Sequence, residues 1–169
     1  MNRIGIAALM TVMICISGCG PAESQPTERQ RFEATEKLLS AWDKDIKSSR
    51  ADYIRVLISE GANVNAKDKN GRTPLMYAAF ISSTPEIVQL LLEKGAELEA
   101  RDTTGFTPLM FAAGKSSTPE IVELLLEKGA ELEARDTDGW TPLMFAAMNS
   151  STPEIVPLLL EKGAEVNAR

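Results

Sequence analysis

One 34-residue stretch, Arg101 to Ala134 (RDTTGFTPLMFAAGKSSTPEIVELLLEKGAELEA), is repeated three times in register. The copy before it runs from Lys67 to Ala100 and the copy after it from Arg135 to Ala168. Glycines mark the register at Gly71, Gly105 and Gly139, and again at Gly61, Gly95, Gly129 and Gly163. A period of this length means that each copy is one supersecondary unit, too small to bury its apolar face alone, so the copies must stack into a solenoid.

Each copy holds two Thr-Pro pairs eleven residues apart, such as Thr107-Pro108 and Thr118-Pro119. Threonine is a good N-cap acceptor, and proline suits the first helical position, where its missing N–H would be unpaired anyway. Two helices per copy follow. The first carries Leu109, Met110, Ala112 and Ala113, whose small residues permit close stacking. The second carries Ile121, Val122, Leu124, Leu125 and Leu126, a broad apolar stripe that has to be buried. Gly129 stops it at the left-handed cap position, and the polar segment to Gly139 predicts an extended loop or short hairpin.

Asp102, Gly105, Thr107-Pro108-Leu109, Ala112-Ala113, Leu124-Leu125-Leu126 and Gly129-Ala130 together resemble the ankyrin repeat. The resemblance implies an all-α ankyrin-repeat solenoid, made of stacked helix-turn-helix units with short β-hairpin loops. This sequence departs from the family pattern twice. Met76, Met110 and Met144 stand where the family has histidine, which predicts loss of a polar contact inside the repeat. An extra residue in Ser82-Ser83, Ser116-Ser117 and Ser150-Ser151 lengthens the period from 33 to 34. Upstream, residues 32–66 read as a degenerate capping repeat with helices over Glu36–Trp42 and Ala51–Glu60. Full repeats follow at 67–100, 101–134 and 135–169, the last without a distinct C-terminal cap. Pro157 replaces Gln89 and Glu123 within the last second helix and predicts fraying or a kink there.

The N-terminus is of another kind. Arg3 precedes an apolar run from Ile4 to Ile16, too short for the roughly 20 residues that a membrane-spanning helix needs, which fits a signal peptide over residues 1–18. The tetrad Ile16-Ser17-Gly18-Cys19 resembles the lipobox of bacterial lipoproteins, which implies lipidation of Cys19; an ordinary signal peptide with an incidental cysteine is the alternative. Residues 19–31, polar and with two prolines, read as a tether, which at about 3.3–3.6 Å per residue reaches up to about 40 Å. The resemblance implies a bacterial cell envelope location, on the periplasmic side of the outer membrane if the host is Gram-negative, because residue 20 is not aspartate.

Composition removes most chemistry. The chain has no histidine, and its two cysteines both fall in or beside the signal segment, so imidazole bases, thiol nucleophiles and Zn–thiolate sites are excluded from the repeats. The carboxylates Glu97, Glu99, Glu131, Glu133 and Glu165 recur every 34 residues and read as a solvated acidic edge opposite Lys94, Lys128 and Lys162 rather than as an acid–base pair or Ca²⁺ site. The serine pairs read as helix caps, and no phosphate-binding glycine loop is present. We expect no enzyme and no cofactor. The formal charge is −6; loss of the signal segment removes one of 18 basic residues and none of 24 acidic ones, leaving −7, a poor match for nucleic acid.

Near-identical copies show where they were free to differ. The differences collect at Lys69-Asn70, Thr103-Thr104 and Thr137-Asp138, then at Arg72, Phe106 and Trp140, and at Phe80-Ile81, Gly114-Lys115 and Met148-Asn149. In proteins similar to this one these positions line a concave partner-binding face. Position 72/106/140 exchanges Arg, Phe and Trp, which no core site tolerates, so it is expected to be exposed, and such residues supply interface hot spots. A second row, Lys67, Arg101, Arg135 and Arg169, adds one cation per repeat, either free to bind or paired with hairpin aspartates such as Asp68, Asp102 and Asp136. The expected function is binding of a protein with an acidic, partly apolar patch. Sequestration of a toxin or envelope enzyme, glycan binding and self-association through the last repeat are the alternatives.

Overall fold

The computed structural model describes residues 25–42, 50–81, 85–115, 118–149 and 152–166. The signal segment, residues 19–24 of the tether with Cys19, the three serine pairs and Arg169 lie outside these residues. The described residues form eight helices: α1 (Glu28–Ser40), α2 (Arg50–Ser59), α3 (Pro74–Ile81), α4 (Pro85–Glu93), α5 (Pro108–Lys115), α6 (Pro119–Glu127), α7 (Pro142–Asn149) and α8 (Ile155–Glu161). They pair as α1 with α2, α3 with α4, α5 with α6 and α7 with α8. The first helices then stack in the row α3–α5–α7, and the second helices in the row α2–α4–α6–α8. This is the all-α ankyrin solenoid.

The first-helix row is close because its contact residues are small: Ala78, Ala79, Ala112, Ala113 and Ala146 have almost no exposed surface. The second-helix row is held by larger side chains, with Ile87, Val88 and Leu91 on α4, Ile121, Val122 and Leu125 on α6, and Ile155 and Leu159 on α8 in one continuous core. Fully burying one such side chain is worth about 1.5–3 kcal/mol, which offsets the weak intrinsic stability of helices only seven to ten residues long.

Capping follows the sequence in the first helices and departs from it in the second. The buried hydroxyls of Thr73, Thr107 and Thr141 each accept a weak bond, at 3.4 Å, from the N–H three residues on. The Thr118 side chain makes no capping bond to α6, where Pro119 at the first position sets the backbone instead. At the other end of α6, Gly129 (φ +93°) lets its own N–H reach Leu126 O and the N–H of Ala130 reach Leu125 O, both at 3.0 Å. That pair satisfies the carbonyls that a helix end leaves open.

Three expectations about element boundaries need correction. α1 begins at Glu28, inside the segment read as tether and well before Glu36: Thr27 and Gln30 form a reciprocal capping box that starts the helix. The loops between repeats contain no strand among the described residues. Each closes as a hairpin-type turn, as in Asp102 N–H to Phe106 O and Gly105 N–H to Asp102 O, both 3.1 Å, and is too short to pair further. Of the two effects expected of Pro157, the helix is shortened at its start and not kinked. Whereas α4 and α6 start on their Thr-Pro proline, α8 starts two residues later, at Ile155. Pro157 thereby falls in the first turn, where its lack of an N–H is harmless, at the cost of the turn that would have begun at Pro153.

A Pro157→Glu variant should therefore move the start of α8 back to Pro153 and stabilise the chain by about 1 kcal/mol, through the regained turn. Amide exchange of Val156 in both proteins, and of residue 157 in the variant, is the measurement; Val156 protection unchanged from the parent would show that Pro157 does not set the helix start.

Candidate protein-binding face

Three turns project in file beside the first-helix row: a first finger at residues 67–72, a second at 101–106 and a third at 135–140. One aspartate shapes each. Asp102 Oδ1 accepts from the Thr104 N–H (2.8 Å), the Thr104 hydroxyl (2.7 Å) and the Phe106 N–H (3.0 Å). Asp68 and Asp136 hold the two corresponding N–H groups of their own fingers at 2.7–2.9 Å. Asp68 differs in also accepting from the Tyr77 hydroxyl at 2.7 Å. Burial pushes the Asp68 carboxyl up, but the Tyr77 bond, the Arg72 and Asn70 N–H groups and the Arg72 charge outweigh it and hold the group below the usual carboxylate range. Burial, then the bond to Asp68 and its charge, raise the Tyr77 phenol.

Neighbouring fingers are bonded to each other. The Thr103 N–H donates to Asn70 O at 2.9 Å, and the Thr137 N–H and hydroxyl both donate to Thr104 O at 3.0 Å. The basic row reinforces this, and is neither free nor paired with the finger aspartates. Lys67 Nζ donates to Arg101 O (3.4 Å), Arg101 to Arg135 O (2.6 Å) and Gly105 O (3.1 Å), and Arg135 to Gly139 O (3.2 Å). Arg101 also approaches Glu131 at 3.7 Å. Lys67 and Arg101 reach a carbonyl that stacking delivers from the next finger, while Arg101 and Arg135 also meet the glycine carbonyl of their own.

Position 72/106/140 is half-buried, not fully exposed as expected. Phe106 lies between two rings of the first-helix row, 5.5 Å from Phe111 and 4.6 Å from Phe145, and Trp140 lies 5.4 Å from Phe145. Arg72 occupies the same register by placing its guanidinium 5.4 Å over Phe111 and reaching toward Asp102 at 3.6 Å. The position accepts Arg, Phe and Trp because one side rests on a ring and the other is open to solvent; all three can stack. Phe80 closes the row edge-on to Phe111 at 6.0 Å.

Of the other residues singled out from the sequence, Lys69, Thr103, Thr104 and Asp138 are exposed on the finger tips, while Asn70 is half-buried. Ile81 and Met148, at the ends of α3 and α7, are 40% and 59% exposed. The side chains of Lys115 and Asn149 lie outside the described residues. The sequence motifs do not single out Phe111 and Phe145, the platform on which Arg72, Phe106 and Trp140 rest, or Tyr77, which stacks on Trp42 and bonds Asp68. An aromatic at one register in all three copies was the signal for them.

Two further expectations change. Met76 and Met110 keep a polar contact where the family has histidine: each sulfur accepts a weak bond from the threonine N–H three residues earlier, at 3.4 and 3.5 Å. Glu99 and Glu133 are not simply a solvated edge, since their carboxylates accept the N–H of Glu131 (3.0 Å) and Glu165 (2.8 Å) in the next repeat. Asn65 does the same for the N–H of Glu97. Among the described residues no group of three or more Asp, Glu, His or Cys side chains could hold a metal ion, and no helix is long and apolar enough to cross a membrane.

A family model of ankyrin repeats in three copies matches residues 46–102 and 82–169. The chain belongs to the ankyrin repeat family. No curated protein matches it significantly in sequence. Ankyrin repeats indicate a protein–protein interaction module, and no catalytic family is indicated. Within this ankyrin chain, the fingers bring half-exposed rings and cations together beside the first-helix row.

Proposed function

We propose that the protein is a non-enzymatic module, tethered to the cell envelope through Cys19, that binds a protein partner on the face formed by its fingers and first helices. The observation that carries the reading is the half-exposed row of Arg72, Phe106 and Trp140 on its aromatic platform. Arg and large aromatics of this kind dominate interface energetics when a partner completes their burial. The platform also holds the rings in place beforehand, so little side-chain freedom is lost on binding. Lys67, Lys69, Arg72, Arg101 and Arg135 favour a partner whose patch is acidic and partly apolar.

The test is a pull-down from envelope extract with the parent chain beside a Phe106→Ala, Trp140→Ala double variant. The double variant should lose the partner, with affinity reduced at least about tenfold. Recovery of the same partner by both would sink the reading, and a thermal melt of each checks that the variant is folded. Tethering is tested separately: the parent chain should partition into detergent and a Cys19→Ala variant should not.

A further inference from the structure

The three fingers share one backbone but not one charge. The first holds Lys67, Lys69 and Arg72 against Asp68, net +2; the second holds Arg101 against Asp102, net zero; the third holds Arg135 against Asp136 and Asp138, net −1. The charges that create the difference are Lys69, Arg72 and Asp138: Lys69 and Asp138 are exposed, and Arg72 is half-buried, 3.6 Å from Asp102. Residues at position 72/106/140 run the opposite way, from a guanidinium to a phenyl to an indole, whereas exposed apolar side chains stand at the helix ends of both the first repeat, Ile81, and the third, Met148. The fingers are bonded in file, so this is a monotonic gradient along a fixed line and not a scatter of charges.

We infer that this face takes a polarised peptide segment in one direction, with its acidic end on the first finger and an apolar end bearing a lysine or arginine on the third. The inference rests on the binding face proposed above and adds the partner's chemistry and orientation. Charge complementarity selects the occupant. A uniformly acidic segment meets Asp138 and Asp136 at the third finger, and a uniformly basic one meets three cations at the first. Only the polarised segment satisfies both ends, and reversal places like charges together at both.

A random ten-residue peptide library displayed on phage and selected on the full chain provides the test. Selected peptides should carry Asp or Glu at one end, and aromatic or aliphatic residues with Lys or Arg at the other. A nitroxide placed on their acidic end should broaden the amide signals of Lys69 to Arg72 and spare those of Asp138 to Trp140. The Lys69→Glu, Asp138→Lys double variant changes only exposed tips and reverses the gradient. It should bind those peptides about tenfold more weakly at low salt. Failure to enrich charge-asymmetric peptides, or broadening at the third finger, overturns the inference and leaves the face itself intact. Selected peptides that bind the Phe106→Ala, Trp140→Ala variant undiminished overturn the face.

Discussion

Replacing Asp102 by alanine should destabilise the chain by about 3 kcal/mol, measured by urea denaturation. Its side chain is 2% exposed. One of its oxygens satisfies two backbone N–H groups and a hydroxyl, and the other faces Arg72 of the preceding finger. Alanine leaves those donors without their acceptor and the guanidinium without its counter-charge, and an unmet polar group costs more than a made bond returns. Asp136 provides the comparison. It holds two N–H groups but is more exposed. Asp136→Ala should therefore cost about half as much, because water can replace the lost acceptor. Equal losses would show that burial between fingers contributes nothing.

Gly105→Ala should cost about 3 kcal/mol, and Gly139→Ala only about 1 kcal/mol. Both glycines have φ +83°, a conformation that costs a side chain about 1–2 kcal/mol on its own. They differ in what a methyl group would meet. At Gly105 it would lie 2.9 Å from Thr137 N and 3.1 Å from Asp136 Cα, backbone atoms of the next finger that cannot rotate aside. At Gly139 it would meet nothing within 4 Å. The pair of variants thus separates local strain from finger-to-finger crowding, and denaturation midpoints that fall together would show that the fingers are not in contact at this point.

The solenoid was legible because its determinants are local and recur: Thr-Pro starts, leucine stripes and glycine stops each act within one copy. Of the candidate face, only the varying positions were legible: comparing copies picks out Arg72, Phe106 and Trp140, which the structure half-buries. What lay beneath them was not. Phe111 and Phe145 sit in an apolar helix where an aromatic looks like any other core residue, and only the stacking of α5 on α7 places Phe106 between them. The basic row was read against side-chain partners because a sequence displays carboxylates and conceals carbonyls. Arg101 and Arg135 use the concealed kind. α1 was placed late because Thr27 to Arg31 is polar and follows two prolines, which masked the Thr27–Gln30 box.

The bonds that run from finger to finger, Thr103 to Asn70, Thr137 to Thr104 and Arg101 to Arg135, turn the three tips into the teeth of a comb. A comb reads spacing. Because backbone atoms set the interval, side-chain changes at the tips alter which chemistry each tooth accepts without altering the distance between teeth. A ligand whose own groups fall out of step with that interval gains one tooth at a time, however well each contact fits. For the partner proposed above, selectivity would then be partly a matter of metre: a single residue inserted between two of its groups would put them out of step with the fingers.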